Sequence, residues 1–336
     1  MKLYQRIALT LVIVAIGFGL LWMVAKYIAT PASSGEPYHG VEDWPHLTQG
    51  MEIGQVSGIG VDSRGIVFVF HRAERIWEGE ELALETIPSA TVFVLNPETG
   101  DLIDKWGEGL FVMPHGLTID HEDNLWLTDV GLHQVFKFDR AGNLLMTWGE
   151  RGVAGDDSNH FNMPTDVAVA PDGSFYVSDG YRNSRVIKFS SEGEYITSWG
   201  SYGAEPGQFD VPHSIALDSQ GRVYVADRGN ARLQIFDSNG QFIAEWKGNS
   251  LGRPWAVRIS PAGNLFIVDG GDQAQFWPDR ARVLELDPEG EILASFGSYG
   301  DAPGQFVWPH TIALGRNEEL YIGEVETGMR VQKFVK

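Results

Sequence analysis

Three histidines share a local sequence. His115 in "MPHGLTID", His213 in "VPHSIALD" and His310 in "WPHTIALG" each follow a proline and open an alternating apolar run. They stand about 98 residues apart, a multiple of a shorter repeat. Three neutral imidazoles with one coordination position left open form the donor set of a catalytic zinc site, whereas a closed structural zinc takes four protein ligands. The structural alternative is that each is a core histidine bonded to a backbone carbonyl. A second group is Arg72 in "FHRAERIW", Tyr181 in "SDGYRNSR" and Arg228 in "ADRGNAR". Guanidinium groups grip carboxylates in a fork, and a phenol can act as acid or base, so these types beside an open metal suit an anionic substrate. Pairing of Arg228 with a neighbouring acid and capping of a strand edge by Tyr181 remain the alternatives.

A repeat must position these residues. Pro114, Pro164, Pro212, Pro254 and Pro309 head apolar strands. Each is followed by a second strand ending near an acid ("LWLTD", "FYVSD", "VYVAD", "LFIVD", "LYIGE") and a third such as "QVFKFD". In most units a fourth strand then ends in an aromatic beside glycine ("MTWG", "TSWG", "ASFG"). An earlier unit begins at Val56. Six units of four short strands at this period predict an all-β, six-bladed propeller. The last unit stops after its third strand, so residues 41–53 are expected to supply the missing outer strand.

The residue after the strand-head position reads Ser57, His115, Thr165, His213, Trp255 and His310 in order. Histidine therefore occupies alternate units. Alternate blades of a six-bladed ring are related by about 120° around a channel lined by the first strands, so the imidazoles converge on its axis. The turn after the second strand returns to the same face and carries Arg72, Tyr181 and Arg228, where other units have Val130, Gly270 and Val325. Features present in most units read as architecture: Trp106, Trp148, Trp199 and Trp246 as packing between blades, Asp129, Asp179, Asp227 and Asp269 as acceptors of backbone N–H groups, Arg185 and Arg232 as structural.

The chain has 336 residues, a formal charge of −20 and no cysteine. Such acidity excludes a nucleic-acid partner, and the lack of thiols excludes disulfides and thiolate chemistry. Residues 7–25 are uncharged and apolar, long enough to cross a bilayer, and Lys2 and Arg6 precede them. The expected organisation is a cytoplasmic N-terminus and transmembrane signal anchor over 1–29, a tether over 30–40 and the propeller over 41–336, with the propeller on the extracytoplasmic side of a single-pass membrane protein.

The segments "MPHGLTIDHEDNLWLTDVGLHQVFKFD", "MPTDVAVAPDGSFYVSDGYRNSR" and "VADRGNAR" resemble the peptidyl-α-hydroxyglycine α-amidating lyases, a family of NHL-repeat propellers. The resemblance covers residues 50 to 336. It implies zinc on His115, His213 and His310, Tyr181 as the base, Arg72 and Arg228 in the active site, and a small anionic amide or peptide as substrate, cleaved to an amide and glyoxylate. It also implies a structural calcium, for which Val56 and Leu117 would offer backbone carbonyls. Thr311 stands where the animal enzymes have that ion's aspartate, and Trp308 where they have a methionine. Two other readings are a non-catalytic NHL propeller that binds a protein or peptide partner, which would hold no metal, and a calcium-dependent lactonase-like propeller. The latter needs carboxylates and asparagines at strand heads occupied here by His, Ser, Thr and Trp.

Overall fold

The computed structural model describes residues 38–48, 50–77, 82, 84–272 and 280–336. The expected membrane anchor and most of the tether fall outside these residues. Six four-stranded antiparallel sheets follow one another along the chain, as the repeat predicts. The innermost strands are Val56–Val61, Pro114–Ile119, Pro164–Val169, Pro212–Leu217, Pro254–Ile259 and Pro309–Leu314. Apolar side chains of neighbouring sheets pack into clusters that bridge blades, so the hydrophobic core is distributed around the ring. The outer-strand tryptophans do the packing assigned to them. Trp106, Trp148, Trp199 and Trp246 lie against Gly142, Gly193, Gly240 and Gly290 of the next blade, close enough that a Cβ on any of these glycines would clash with the indole.

The acids that end the second strands are buried acceptors. Asp129 takes the N–H groups of Val112, Met113, Gly131 and Leu132, which fastens the turn after the second strand to the segment before the strand head. Asp179 and Asp227 pair with Arg185 and Arg232, which are thereby structural. In the first blade the acid's place is taken by His71, whose Nδ1 accepts from the N–H groups of Gly54 and Ala73.

Ring closure differs from expectation in its position. The strand that completes the sixth blade is His39–Gly40, paired antiparallel with Val331–Val335, and not residues 41–53. Tyr38, which falls within the expected tether, is buried against Phe266 and Phe296. Residues 41–53 leave the edge after one further bond, from Val41 N–H to the Lys333 carbonyl. Trp44 then enters the cluster shared by the first and sixth blades, its Nε1 donating to the Asn96 carbonyl at 3.3 Å. Val41, Leu47 and Ile53 pack with it and cover the seam between the two blades.

Candidate active site

Each innermost strand starts with a local irregularity. Pairing with the second strand shifts register at Ser57, Thr165, His213, Trp255 and His310, and across His115–Gly116. A bulged residue is left out of the ladder, so its side chain and carbonyl are free to aim elsewhere. In five of the six blades a proline before it begins the strand without needing an N–H partner, and in the first blade Val56 stands there. This device explains why histidine alternates with other residues. His115 Nδ1 meets the Thr165 carbonyl at 2.7 Å, His213 Nδ1 the Trp255 carbonyl at 2.7 Å, and His310 Nδ1 the Ser57 carbonyl at 3.0 Å. The blades without histidine thus supply the carbonyls that orient the histidines of the preceding blades. Only a protonated nitrogen can face a carbonyl, so each ring carries its proton on Nδ1 and its lone pair on Nε2.

The three rings meet with centroids 4.8 to 4.9 Å apart. The group is buried, and its potential ligand atoms lie within 4.8 Å of one another. Burial pushes the His115 imidazole down to about 3, helped by the Arg72 charge, and holds His213 and His310 well below the usual histidine range. The rings are therefore neutral at physiological pH, as metal ligands must be. His310 Nε2 is buried without a hydrogen-bond partner. Three converging lone pairs with one orphaned atom fit a cation better than any arrangement of protein donors. His115, His213 and His310 can hold a metal ion.

The Tyr181 hydroxyl sits 3.1 Å from both His115 Nε2 and His213 Nε2. It has one proton to donate, so at most one of those contacts is a hydrogen bond. Gly180 permits this placement, because a Cβ there would be 2.0 Å from the Pro212 carbonyl oxygen. Arg228 Nη1 lies 3.5 Å from the Tyr181 oxygen, and its guanidinium stands over the Trp255 and Tyr181 rings, 4.4 and 5.2 Å from their centroids. Among the described residues no acid pairs with it in the manner of Asp227 with Arg232. Arg72 is buried, donates through Nε to the Pro114 carbonyl at 3.1 Å and through Nη1 to Gln55 Oε1 at 2.6 Å, and stacks over Trp77. Burial lowers it to about 10, which leaves it charged at neutral pH.

Arg72, Trp77, Tyr181, Arg228, Trp255 and His310 border one cavity of about 450 Å³, lined also by Trp308, Val325 and Glu326, and His115 and His213 adjoin it through the Tyr181 hydroxyl. The structure brings together all six side chains singled out in the sequence. Val56 and Leu117 are buried on the innermost strands, and the Leu117 carbonyl accepts from Arg258 Nη2 at 3.3 Å. Sequence reasoning missed Gln55 and Trp77, which hold Arg72 through a hydrogen bond and a stacked indole. Both lie in the first unit where it departs from the repeat, and that departure was the available signal.

A family model described as NHL repeat matches residues 161–189 and 209–236. A Drosophila melanogaster protein named peptidyl-alpha-hydroxyglycine alpha-amidating lyase 2 is 34% identical over 333 residues, covering 92% of this chain and 78% of the fly protein. The Rattus norvegicus peptidylglycine alpha-amidating monooxygenase is 39% identical over 323 residues, covering 88% of this chain and 32% of the rat protein. The chain spans about a third of the length of the vertebrate monooxygenases it matches. Among solved structures, a gluconolactonase from Xanthomonas campestris superposes with a TM-score of 0.59 at 13% identity, over 90% of this chain and 95% of that one, and shares the propeller fold.

Proposed function

Because the chain belongs to the peptidyl-α-hydroxyglycine α-amidating lyase family, we propose that it is a zinc-dependent carbon–nitrogen lyase that splits peptidyl-α-hydroxyglycine-type compounds into an amide and glyoxylate. The observation that carries this reading is the convergence of three carbonyl-anchored imidazoles, two of which, His115 and His213, meet the hydroxyl of Tyr181. The substrate carries a hydroxyl and a carboxylate on the carbon bonded to the amide nitrogen. Zinc on His115, His213 and His310 would supply the Lewis acidity that lowers the pKa of that hydroxyl. In its ionised form Tyr181 accepts the hydroxyl proton. The carbon–oxygen bond becomes a carbonyl while the carbon–nitrogen bond breaks, and Tyr181 returns the proton to the departing nitrogen. Atoms balance with no redox partner.

Arg72 and Arg228 give the site its preference for an anion. In a chain of net charge −20, a cavity lined by Arg182 and one acid, Glu326, beside these two guanidinium groups marks a local reversal of sign. Each is backed by an indole, which holds the planar group in place while leaving its N–H edge for a carboxylate. The apolar wall of Trp77, Trp255 and Trp308 suits the acyl part of the substrate. We also place the propeller outside the cytoplasm, with residues 1–29 as a membrane anchor. The uncharged run over 7–25 behind Lys2 and Arg6 supports that placement. The function is tested by incubating the zinc-loaded protein with N-benzoyl-α-hydroxyglycine and quantifying both products. Equal amounts of benzamide and glyoxylate above the uncatalysed rate are expected; no acceleration would refute the reading.

A further inference from the structure

Further along the innermost strands the central channel is nearly filled, with a void of about 10 Å³ lined by the three histidines together with Asp166, Ser214 and Arg258. Most side chains facing it are small, as a six-stranded channel requires. Two are not. Asp166 stands two residues after the head of its strand, where other blades have Gly58, Gly116, Ser214, Ala256 and Thr311. Arg258 stands four residues after the head of its strand, where the others have glycine, alanine or threonine. The two meet across the channel, Arg258 Nη1 to Asp166 Oδ2 at 2.9 Å and Nη2 to Oδ1 at 3.4 Å. Nη1 also reaches Ser214 Oγ at 3.1 Å, and Nη2 reaches the Leu117 carbonyl at 3.3 Å. Ser214 Oγ in turn donates to Asp166 Oδ2 at 2.8 Å. One guanidinium therefore ties the second, third, fourth and fifth blades.

Every tie lands beside the metal-binding group. Leu117 is two residues from His115, Ser214 follows His213, and Asp166 follows Thr165, whose carbonyl orients His115. Arg258 is three residues from Trp255, whose carbonyl orients His213. A buried ion pair gains little net stability because desolvation offsets the attraction, so its contribution is better sought in positioning. The family resemblance implies a calcium ion at this level, and the residues present do not fit one. Thr311 offers no carboxylate, the Leu117 carbonyl is engaged, and a fixed positive charge stands where a divalent ion would be repelled.

We propose that Arg258, paired with Asp166, is a built-in cation that cross-links the blades beneath the three histidines and positions His115 and His213 for metal binding, in place of a calcium ion. The inference rests on the reading of the histidines as a metal site. It is tested on the full-length protein by zinc competition titrations, the visible spectrum of the cobalt-substituted site, and thermal melts with and without millimolar calcium or a calcium chelator. In the wild type, calcium is expected to change neither zinc affinity nor melting. Arg258→Met is expected to weaken zinc binding by about 10–100-fold and to alter the cobalt spectrum, as loss of outer supports of metal ligands does. Arg258→Lys, which keeps a charge, is expected to recover most of that loss. Calcium-dependent stabilisation of the wild type would overturn the proposal, as would wild-type zinc affinity and cobalt spectrum in Arg258→Met. Should Arg258→Met fail to fold, Arg258→Lys and the calcium arm decide: a lysine variant that binds zinc no better than one lacking His213 contradicts the role of the charge. A wild type that takes up neither zinc nor cobalt would instead refute the metal reading itself.

Discussion

The Tyr181 hydroxyl touches two imidazole nitrogens and faces a guanidinium, so its oxygen has no structural duty that phenylalanine would leave undone. Tyr181→Phe is expected to cut kcat by about 10²- to 10⁴-fold, the usual share of a proton carrier, while metal content measured on the same sample stays at the wild-type level. Arg228→Ala should act chiefly on KM for a carboxylate-bearing substrate if it grips the anion in the ground state, which a comparison with an uncharged amide analogue reads directly. His71 gives a pH dependence. Its Nδ1 accepts from two backbone N–H groups, and burial pushes it down to about 4. An unfolded imidazole titrates near 6.5, so as pH falls from about 6.5 towards 4 the unfolded chain binds a proton that the folded chain does not. Folded-state stability is therefore full above that window and lost within it, by something on the order of 3 kcal/mol for this one group. Urea titrations of the metal-free protein at neutral and mildly acid pH should show the loss. His71→Asn keeps an acceptor without the titration and should show less of it; an identical acid dependence would contradict the assignment.

At the scale of the element, the bulged strand head is the recurrent device. It was legible as a proline followed by an unusual residue, and the alternation of histidine singled out the three rings that meet at the channel axis. What could not be read was that Ser57, Thr165 and Trp255 work through their carbonyls, because a backbone contact leaves no mark on residue type. The closing strand was misplaced for a related reason. Trp44 and Leu47 have the apolar character of a strand face, yet they serve the seam between blades, and the pairing falls to His39–Gly40, whose composition gives no strand signal. Tyr38 and Trp44 are the anchors of that closure. Tyr38→Ala and Trp44→Ala are each expected to destabilise the protein by about 3–5 kcal/mol, the range for emptying a buried aromatic site, visible as lower thermal midpoints. Unchanged midpoints would show that the ring closes without them.

At the scale of the molecule, the fold was legible because a repeat states its period several times over, and each statement corrects the others. The site was legible where it broke that repeat in register and obscure where it broke it out of register, as with Gln55 and Trp77 in the first blade. Asp166 and Arg258 are an intermediate case: two unlike charges in strands of small residues were visible in the sequence, but their meeting across the channel is a property of the closed ring. The histidine group joins three alternate blades, so an ion held there would bind the folded ring and not the open chain. Chelation should accordingly lower the thermal midpoint, by a stability equivalent of about 4 kcal/mol if free metal stands near a thousand times its dissociation constant.

The central claim is that this metal group performs the lyase reaction. Its most direct test is to measure zinc content and glyoxylate release on the same preparations of wild-type protein, chelated protein and His213→Ala. The expected result is about one zinc per wild-type chain, loss of zinc and of glyoxylate release together on chelation or in His213→Ala, and recovery of both when zinc is returned to the chelated wild type. Undiminished glyoxylate release from metal-free protein, or less than about a tenth of a zinc per chain in a wild type that is fully active, would contradict it.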